Sequence, residues 1–505
     1  MAKYKPYNYS QGILLPVYLE AQLMPGTLEF SIHTLVETRV DMRVFDEKYN
    51  NDDTGCAAYD PKVLLKVVLF AYARGIISSR KIERACKENI TFMALSCGQR
   101  FDHSTIAAFI SSMKEQVLPI FRDILLVCEE IRLLGGTMFA LDGCKIPSNS
   151  SKQWSGTIEE LKNKKEKIEQ KVGQMMDAQI EADKKGEESS EGGAFDRIDR
   201  DKQIERLQKK ATRIDKWLSE NEAKIGKRGK ELKNNITDND SCKMKTSHGT
   251  IQGYNAQALV DGKNQVIVHA EALGNGQDHG NVPPIIDAAK KNMMNIGHGE
   301  DYFEGKIFIT DSSYHSKENL FKCEEERLDA YIPDVNFRKR DSGFSNQNRY
   351  KPNKARKFTQ EEFAYDEDND QYVCPNEKIL RLRARKAHTQ GIIARRYAAD
   401  KRDCAECPLR DRCLLTKKTK RKCLCIPIGG LAVNLSKKMQ EKIDTDQGRR
   451  IYEQRLGMIE PVFANIRIHK RLDRFTLRGK IKVNIQWLLF CMVHNIEKTI
   501  SYATT

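Results

Sequence analysis

Two apolar runs, each followed by an aspartate, constrain the fold of this chain more than any other feature. Residues 137–141 lead into Asp142, and residues 306–310 lead into Asp311. Short apolar runs of this kind are typical of buried strands in a sheet that is covered on both faces. We therefore predict two buried strands whose last residues deliver carboxylates to the edge of one sheet.

A third carboxylate lies in a segment of helical periodicity. Apolar residues between Tyr452 and Ile466 recur at three-, four- and seven-residue spacings, and Glu460 lies one turn from Phe463, beside this apolar face. Pro461 predicts either a kink or a new helix directly after Glu460. Arginines and lysines flank the segment, so the residues alone allow a structural ion pair or a carboxylate that holds a divalent metal over a phosphate.

Taken together, Asp142, Asp311 and Glu460 form an acid triad suited to hard metal ions. Mg²⁺ prefers a few carboxylates together with water and substrate phosphate. Two such ions can stabilise both the attacking and the leaving oxygen of a phosphodiester displacement. Three close carboxylates without cations would repel one another at neutral pH. The triad therefore predicts a site for two Mg²⁺ ions, with Mn²⁺ as a substitute.

The chain resembles bacterial insertion-sequence transposases of the DDE class over nearly its whole length. The third-acid signature of that family is Tyr, Arg, Glu, Lys, and here it reads Tyr452, Arg455, Glu460 and Arg467. Four residues separate Arg455 from Glu460, where three is commoner. Arg467 replaces the usual lysine, which keeps the charge and changes its geometry.

The family's second-acid motif is Asp, any residue, Gly, Tyr. Here it reads Asp311-Ser312-Ser313-Tyr314, with Ser313 in the place of the glycine. The resemblance implies an RNase H-like catalytic domain in which Asp142, Asp311 and Glu460 are catalytic and bind the metal ions. It also implies cleavage of double-stranded DNA at the terminal inverted repeats, strand transfer into target DNA, and a homodimer that synapses two ends. The DNA-contacting residues would be Tyr452, Arg455, Arg467, Lys470 and Arg471.

Residues 1–130 predict a helical domain. Helices are expected over Val36–Phe45 and over Pro61–Gly75, the second of which Asp60 is placed to cap. Short helices with exposed basic residues fit a helix-turn-helix DNA reader. They fit equally well a bundle that packs or dimerises without DNA. The similarity of Tyr59–Phe109 to the N-terminal domain of the same transposases favours the DNA reader.

Residues 157–235 differ in character from their surroundings. Apolar residues repeat every seven positions over Leu161–Met175 and again over Ile204–Ile225, with Lys and Glu filling much of the rest. This pattern predicts two coiled-coil helices, joined by a flexible turn over residues 185–193. The simplest interpretation is that their charged residues face solvent. The alternative is a role in dimerisation or in cradling DNA.

Residues 338–445 are basic and rich in cysteine. A structural zinc site needs four Cys or His ligands, and Cys374, Cys404, Cys407 and Cys413 could provide them. A reduced, metal-free cysteine cluster is the alternative. The dense basic residues around the cysteines predict a phosphate-binding surface or, alternatively, a solvated charged face.

The order of elements favours an α/β fold. A hairpin over 253–270 turns at Asp261-Gly262, and a helix, a strand, a helix and a strand follow it, which is the order of an RNase H-like mixed sheet. A coiled-coil insertion and a Cys-rich insertion interrupt this core, and an all-α N-terminal domain precedes it. The predicted boundaries are 1–130 for the DNA-binding domain, 131–156 and 236–337 for the core, 157–235 and 338–445 for the insertions, and 446–505 for the C-terminal part of the core.

Composition narrows the class of partner. The 505 residues carry a formal net charge of +15, which favours a polyanion, and nucleic acid before membrane. The longest apolar candidate, Ile485–Val493, is too short to span a bilayer, and the first eight residues lack a signal-peptide core. We expect a cytoplasmic protein without a disulfide framework among its 14 cysteines.

Two other functions share these features. A metal-dependent nuclease would cut DNA with the same triad but would not join strands. A DNA-binding protein derived from a transposase would have lost catalysis, and the presence of all three acids argues against it.

Overall fold

The computed structural model describes residues 18–48, 57–185, 191–226, 229–247, 249–344, 346–347, 357–389, 392–416, 418–428 and 431–503. The N-terminal segment and the turn at 186–190 lie outside these residues. The chain forms two compact units. The first holds the described residues of Met1–Gln277, Ala288–Glu300 and Met458–Thr505, and the second holds those of Asp278–Asp287 and Asp301–Gly457.

The α-helices are α1 Leu28–Thr38, α2 Pro61–Ala73, α3 Ser79–Glu88, α4 Ile90–Leu95, α5 His103–Ser111, α6 Val117–Glu130, α7 Ile158–Lys185, α8 Glu191–Glu220, α9 Val282–Asn295, α10 Lys317–Glu325, α11 Phe337–Arg340, α12 Lys401–Ala405, α13 Arg410–Cys413, α14 Leu431–Ile443, α15 Asp446–Ala464 and α16 Lys480–Ala503. The strands are β1 Met138–Pro147, β2 Ser155–Gly156, β3 Asn234–Asn235, β4 Cys242–Thr246, β5 Gly249–Asp261, β6 Ile267–Leu273, β7 Ile307–Thr310, β8 Asp329–Tyr331, β9 Ala364–Asp366, β10 Gln371–Val373, β11 Ile379–Thr389, β12 Ile392–Ala399 and β13 Cys423–Pro427.

The N-terminal helices begin where capping chemistry places them. The Asp60 carboxylate accepts the Lys62 N–H at 2.8 Å, and Pro61 takes the first position of α2, which confirms the predicted start of that helix. The single helix predicted over Val36–Phe45 is wrong. Helix α1 begins earlier, where Thr27 caps it, and a separate 3₁₀ segment follows over Met42–Lys48.

The sheet of the first unit is built around β5. Strand β1 pairs antiparallel with one edge of β5, while β4 and β6 pair with successive parts of its other edge. Asp142 was predicted to end its strand, and this is wrong. It lies inside β1 opposite Ala258, because pairing continues to Pro147. The predicted hairpin is confirmed, since β5 ends at Asp261 and β6 returns antiparallel beside it.

Helix α16 covers this sheet, as its nearly continuous apolar sequence predicts. The side-chain amide of Asn495 exchanges two hydrogen bonds with the backbone of Ile267, both of 2.9 Å. Asn484 makes the same pair of bonds to Ala272, three helical turns earlier. The helix therefore satisfies backbone groups of β6 that β5 does not reach. Tyr72 of α2 packs on Phe490 of the same helix.

Helices α7 and α8 run antiparallel. Lys165 is ion-paired with Asp215, and farther along the hairpin Gln179 hydrogen-bonds Asp201. Leu161, Ile214, Trp217 and Ile236 form a small buried core at the base. The coiled-coil packing itself stays a prediction, as do the domain boundaries.

The second unit contains a parallel pair and an antiparallel sheet. Strands β7 and β8 pair in parallel, and helix α10, which Ser316 caps, connects them. Strands β13, β12, β11, β10 and β9 form the antiparallel sheet in that spatial order. Strand β7 ends directly before Asp311, which confirms the position predicted for this acid.

Replacing Asn495 by leucine removes both of its bonds to Ile267 at a fully buried position. We expect the free energy of unfolding to fall by about 2–4 kcal/mol, because two buried backbone groups lose their partners, and urea denaturation would measure this loss. Asn484→Leu is the matched control. Its site is half-buried, so water can replace the lost bonds, and its cost should stay below about 1 kcal/mol. Equal losses for the two variants would contradict this account.

Candidate active site

Asp142 lies on β1 with its side chain half-buried. Its Oδ1 accepts the Gly143 N–H at 2.7 Å. A side chain at residue 143 would overlap the side-chain amides of Gln257 and Asn255, so either residue 143 stays glycine or these amides shift. Since side chains alternate along a strand, Asp142 and Cys144 share the face opposite these amides.

Arg467 joins this face. Burial raises the pKa of the Cys144 thiol. The Arg467 guanidinium hydrogen-bonds this thiol and lowers its pKa, and the Asp142 carboxylate raises it. Asp142, Cys144 and Arg467 are therefore neighbours. Arg467 itself is exposed and lies in a π-helical turn over Asn465–His469.

Glu460 is exposed near the C-terminal end of α15. The helix continues through Pro461 to Ala464, so the new helix allowed after Glu460 does not form. Ile459 and Val462 are fully buried beside it, and this packing offsets the missing backbone bond. A π-helical turn follows at Asn465.

The segment from Met458 to Arg467 runs along β1. The methyl group of Met458 lies against Gly262, whose N–H donates to the Met138 carbonyl at the start of β1. At the other end, Arg467 reaches Cys144. Glu460 therefore lies along the part of the strand that carries Asp142.

Asp311 caps a 3₁₀ turn in the second unit. Its Oδ1 accepts the Ser313 N–H at 2.8 Å, and its Oδ2 accepts the Ser313 hydroxyl at 3.1 Å. Ser313 is not among the residues with positive φ, so the backbone here does not require the glycine of the family motif. The serine hydroxyl instead helps to hold the carboxylate.

Tyr452 lies near Asp311 and contacts Arg455. Burial raises the pKa of the Tyr452 phenol, Arg455 and Arg338 lower it, and Asp311 raises it. Tyr452 hydrogen-bonds Arg455 and packs edge-on against Phe337. Arg455 is only 7% exposed. Tyr452 therefore lies near Asp311, and Arg455 is held against Tyr452.

Lys470 and Arg471 are adjacent in sequence and differ in environment. Lys470 is buried, and its Nζ binds Glu497 at 2.5 Å and Asn465 at 2.8 Å. Burial lowers its pKa, and Glu497 opposes that shift. Arg471 is exposed. With Arg467 it lines a cavity of about 440 Å³.

The four cysteines of the proposed zinc site lie in one neighbourhood. Cys374, Cys404 and Cys413 pack against the same small core of the antiparallel sheet. The Lys378 N–H points to the Cys374 sulfur at 3.3 Å. Burial raises the pKa of Cys404 and of Cys413, and Cys407 and Cys374 raise both further.

In the described part of the chain, no group of three or more His, Cys, Asp or Glu side chains is arranged to hold a metal ion. None of the described helices is long and apolar enough to cross a membrane.

Sequence reasoning missed Cys144, Arg338, and the amides of Asn255 and Gln257. Cys144 could have been found, because it lies two residues after Asp142 on the same face of a strand. The other three residues reach Gly143 or Tyr452 only through the tertiary fold.

Replacing Lys470 by methionine should lower the free energy of unfolding by about 1–3 kcal/mol, because Asn465 and Glu497 lose a charged partner. Arg471→Met is the matched control, and its exposed site should change stability by less than about 0.5 kcal/mol. Urea denaturation of both variants would test the assignment. If Lys470→Met were as stable as the unmodified protein, the stabilising role assigned to the buried ammonium group would be contradicted.

Two family models match the chain. Residues 17–112 match a model described as a transposase domain (DUF772), and residues 373–500 match one described as a transposase DDE domain. No curated protein and no solved structure matches. A DDE domain implies an RNase H-like fold for the catalytic part. The order of the two matched regions, with the transposase domain before the DDE domain, is consistent with an insertion-sequence DDE transposase.

Proposed function

We propose that this protein cuts an insertion element at its ends and joins those ends to target DNA. The observation that carries the proposal is the shared face of β1, where Asp142, Arg467 and the helical segment bearing Glu460 meet. A carboxylate beside an exposed guanidinium can serve a phosphodiester, because the arginine binds the phosphate while the acid holds a metal.

Asp142, Asp311 and Glu460 would hold two Mg²⁺ ions, for which Mn²⁺ can substitute. Carboxylate oxygens are the ligands that these ions prefer. When bound, the ions supply an activated water and charge neutralisation at the phosphate. Water cleaves the phosphodiester and leaves a 3′-OH. That hydroxyl then attacks a target phosphodiester, releasing a target 3′-OH, so no covalent bond to the protein forms.

The neighbouring residues position the acids and the DNA. Ser313 holds Asp311, and Tyr452, which contacts Arg455, lies near that carboxylate. Arg467 lies between Cys144 and solvent, where a phosphate can reach it. Arg471 adds a second exposed cation. Lys470 is left out of the DNA-contacting set, because its ammonium group is buried against Glu497.

Helix α3 is our candidate for reading the terminal repeats. Ile82 and Cys86 are buried on one side, and the exposed basic residues are Arg80, Lys81, Arg84 and Lys87. An amphipathic helix of this kind can insert into a major groove while its apolar side stays packed. Two ends must be synapsed, so the active species would be a homodimer.

Cleavage of a labelled duplex carrying the element's own end would test the triad. Wild-type protein should nick the end in Mg²⁺ and not in EDTA, and Asp142→Ala or Glu460→Gln should lower the rate by at least about 10³-fold. Glu453→Gln is the control, because Glu453 is also exposed and lies two turns earlier on a similar face of α15. DNA binding without cleavage in Mg²⁺ or Mn²⁺ would favour the DNA-binding protein that has lost catalysis.

Joining separates a transposase from a nuclease. A pre-cut end bearing a 3′-OH should be transferred into a plasmid by wild-type protein. Hydrolysis without transfer would favour the nuclease. Cellular function that survives Glu460→Gln would favour the non-catalytic protein.

We further propose structural zinc at Cys374, Cys404, Cys407 and Cys413. The thiols suit zinc and share one neighbourhood, although the structure does not arrange them as a closed metal site. Purified protein should contain about one zinc per chain, measured by elemental analysis. Cys404→Ser should lose the metal and lower the melting temperature, and Cys423→Ser, at an exposed cysteine, should keep both. A zinc-free protein whose melting temperature is insensitive to added zinc would refute the site.

A further inference from the structure

A polar groove opens where β1 leaves the sheet of the first unit. Its volume is about 530 Å³. It receives residues from five places in the chain, namely the β1 exit, the loop between β3 and β4, the first part of β5, helix α8 and the loop before α16. We call it the strand-exit groove. Its lining includes Asn149, Lys152, Trp154, Arg213, Arg474 and Arg478.

All the charged residues that line the groove are cationic. Lys152, Arg213, Arg474 and Arg478 are all exposed, and no described residue of the lining is acidic. None of the four cations forms an ion pair with a carboxylate among the described residues. Four cations gathered without counter-charges raise one another's energy, and an anionic ligand relieves this repulsion.

The walls of the groove are held by hydrogen bonds. The Phe475 N–H donates to the Pro147 carbonyl at 2.9 Å, and the Asn149 amide donates to the Thr476 carbonyl at 2.8 Å. The Arg478 Nε donates to the Asn149 carbonyl at 2.7 Å. The loop before α16 and the exit of β1 are therefore fixed to each other before any ligand binds.

Arg213 reaches the groove from the α7–α8 hairpin. Its guanidinium lies 5.4 Å from the centre of the Trp154 ring and donates to the Thr237 hydroxyl at 3.4 Å. Lys164 lies 5.2 Å from the same ring. Stacking on an aromatic ring holds a guanidinium in one orientation while its N–H groups remain able to donate. The hairpin thus contributes an oriented cation to the groove.

We propose that the strand-exit groove binds the sugar-phosphate backbone of the element-end DNA, on the side of the cut that β1 points toward. The proposal rests on the function proposed above. Cationic side chains with Ser, Thr and Asn hydroxyls and amides are the usual partners of phosphate oxygens and carry no base code. The ligand is therefore the backbone, and the contact is independent of sequence.

The strand itself gives the distance to the cut. Five residues separate Asp142 from Pro147, which is roughly 17 Å at the rise of a β-strand. Roughly 17 Å corresponds to about five base pairs of duplex. The groove would hold the DNA about half a turn from the reacting bond, and the α7–α8 hairpin would help to clamp it there.

Binding of the end duplex in EDTA, where no cleavage interferes, tests the groove. Arg213→Gln and Arg474→Gln should each weaken binding and reduce the slope of log K against log salt by about 0.9, the value for one lost phosphate contact. Lys216→Gln, which alters an exposed cation on the same helix α8, should change neither quantity. Circular dichroism would confirm that each variant is folded. Unchanged slopes in both groove variants would overturn the proposal.

A neutral methylphosphonate placed in the duplex tests the position. Placed about five base pairs from the cut, the methylphosphonate should weaken DNA binding by wild-type protein. It should weaken binding by the Arg213→Gln variant little, because that variant has already lost the contact. Interference only at other positions would overturn the placement. If wild-type protein cleaves the end but the groove variants bind DNA as wild type does, only the groove proposal is rejected. Altered slopes in a protein that never cleaves would reject only the catalytic proposal.

Discussion

The first unit depends on the burial of α16. Trp487, Leu489 and Phe490 of this helix are fully buried, so the helix has to be covered on nearly every side. Strand β6 covers one side through Asn484 and Asn495, and α2 covers another through Tyr72. Because a helix of this kind cannot stand in water, the N-terminal helices and the sheet pack onto it together. The position of β1, and hence of Asp142, follows from that packing.

A second constraint operates on β1. Successive side chains of a strand point to opposite faces, so Asp142 and Cys144 face one way while Gly143 faces the buried amides of Asn255 and Gln257. A strand that continues past the acid gives the carboxylate a rigid support on both sides. The same continuation leads to the strand-exit groove, which links the candidate acid to a surface of unpaired positive charge.

The local elements were predictable where the signal is local. The start of α2 at Pro61, the hairpin after Asp261 and the strand before Asp311 follow from capping, turn and periodicity rules. The helix predicted over Val36–Phe45 does not form as one piece, and the new helix allowed at Pro461 does not begin there, because packing decided both. Buried apolar neighbours carried α15 through its proline, and strand pairing carried β1 past Asp142. Neither effect is visible in a short window of sequence.

The sequence by itself determined the three carboxylates, the two matched transposase regions and the excess of positive charge. The tertiary structure decided which cations can meet a ligand. Lys470 and Arg471 are neighbours in the chain, yet one is buried against Glu497 and the other is exposed. Arg213 and Arg474 are far apart in the chain, yet they line one groove. Burial and proximity arise from contacts between distant residues, and only the folded chain brings those residues together.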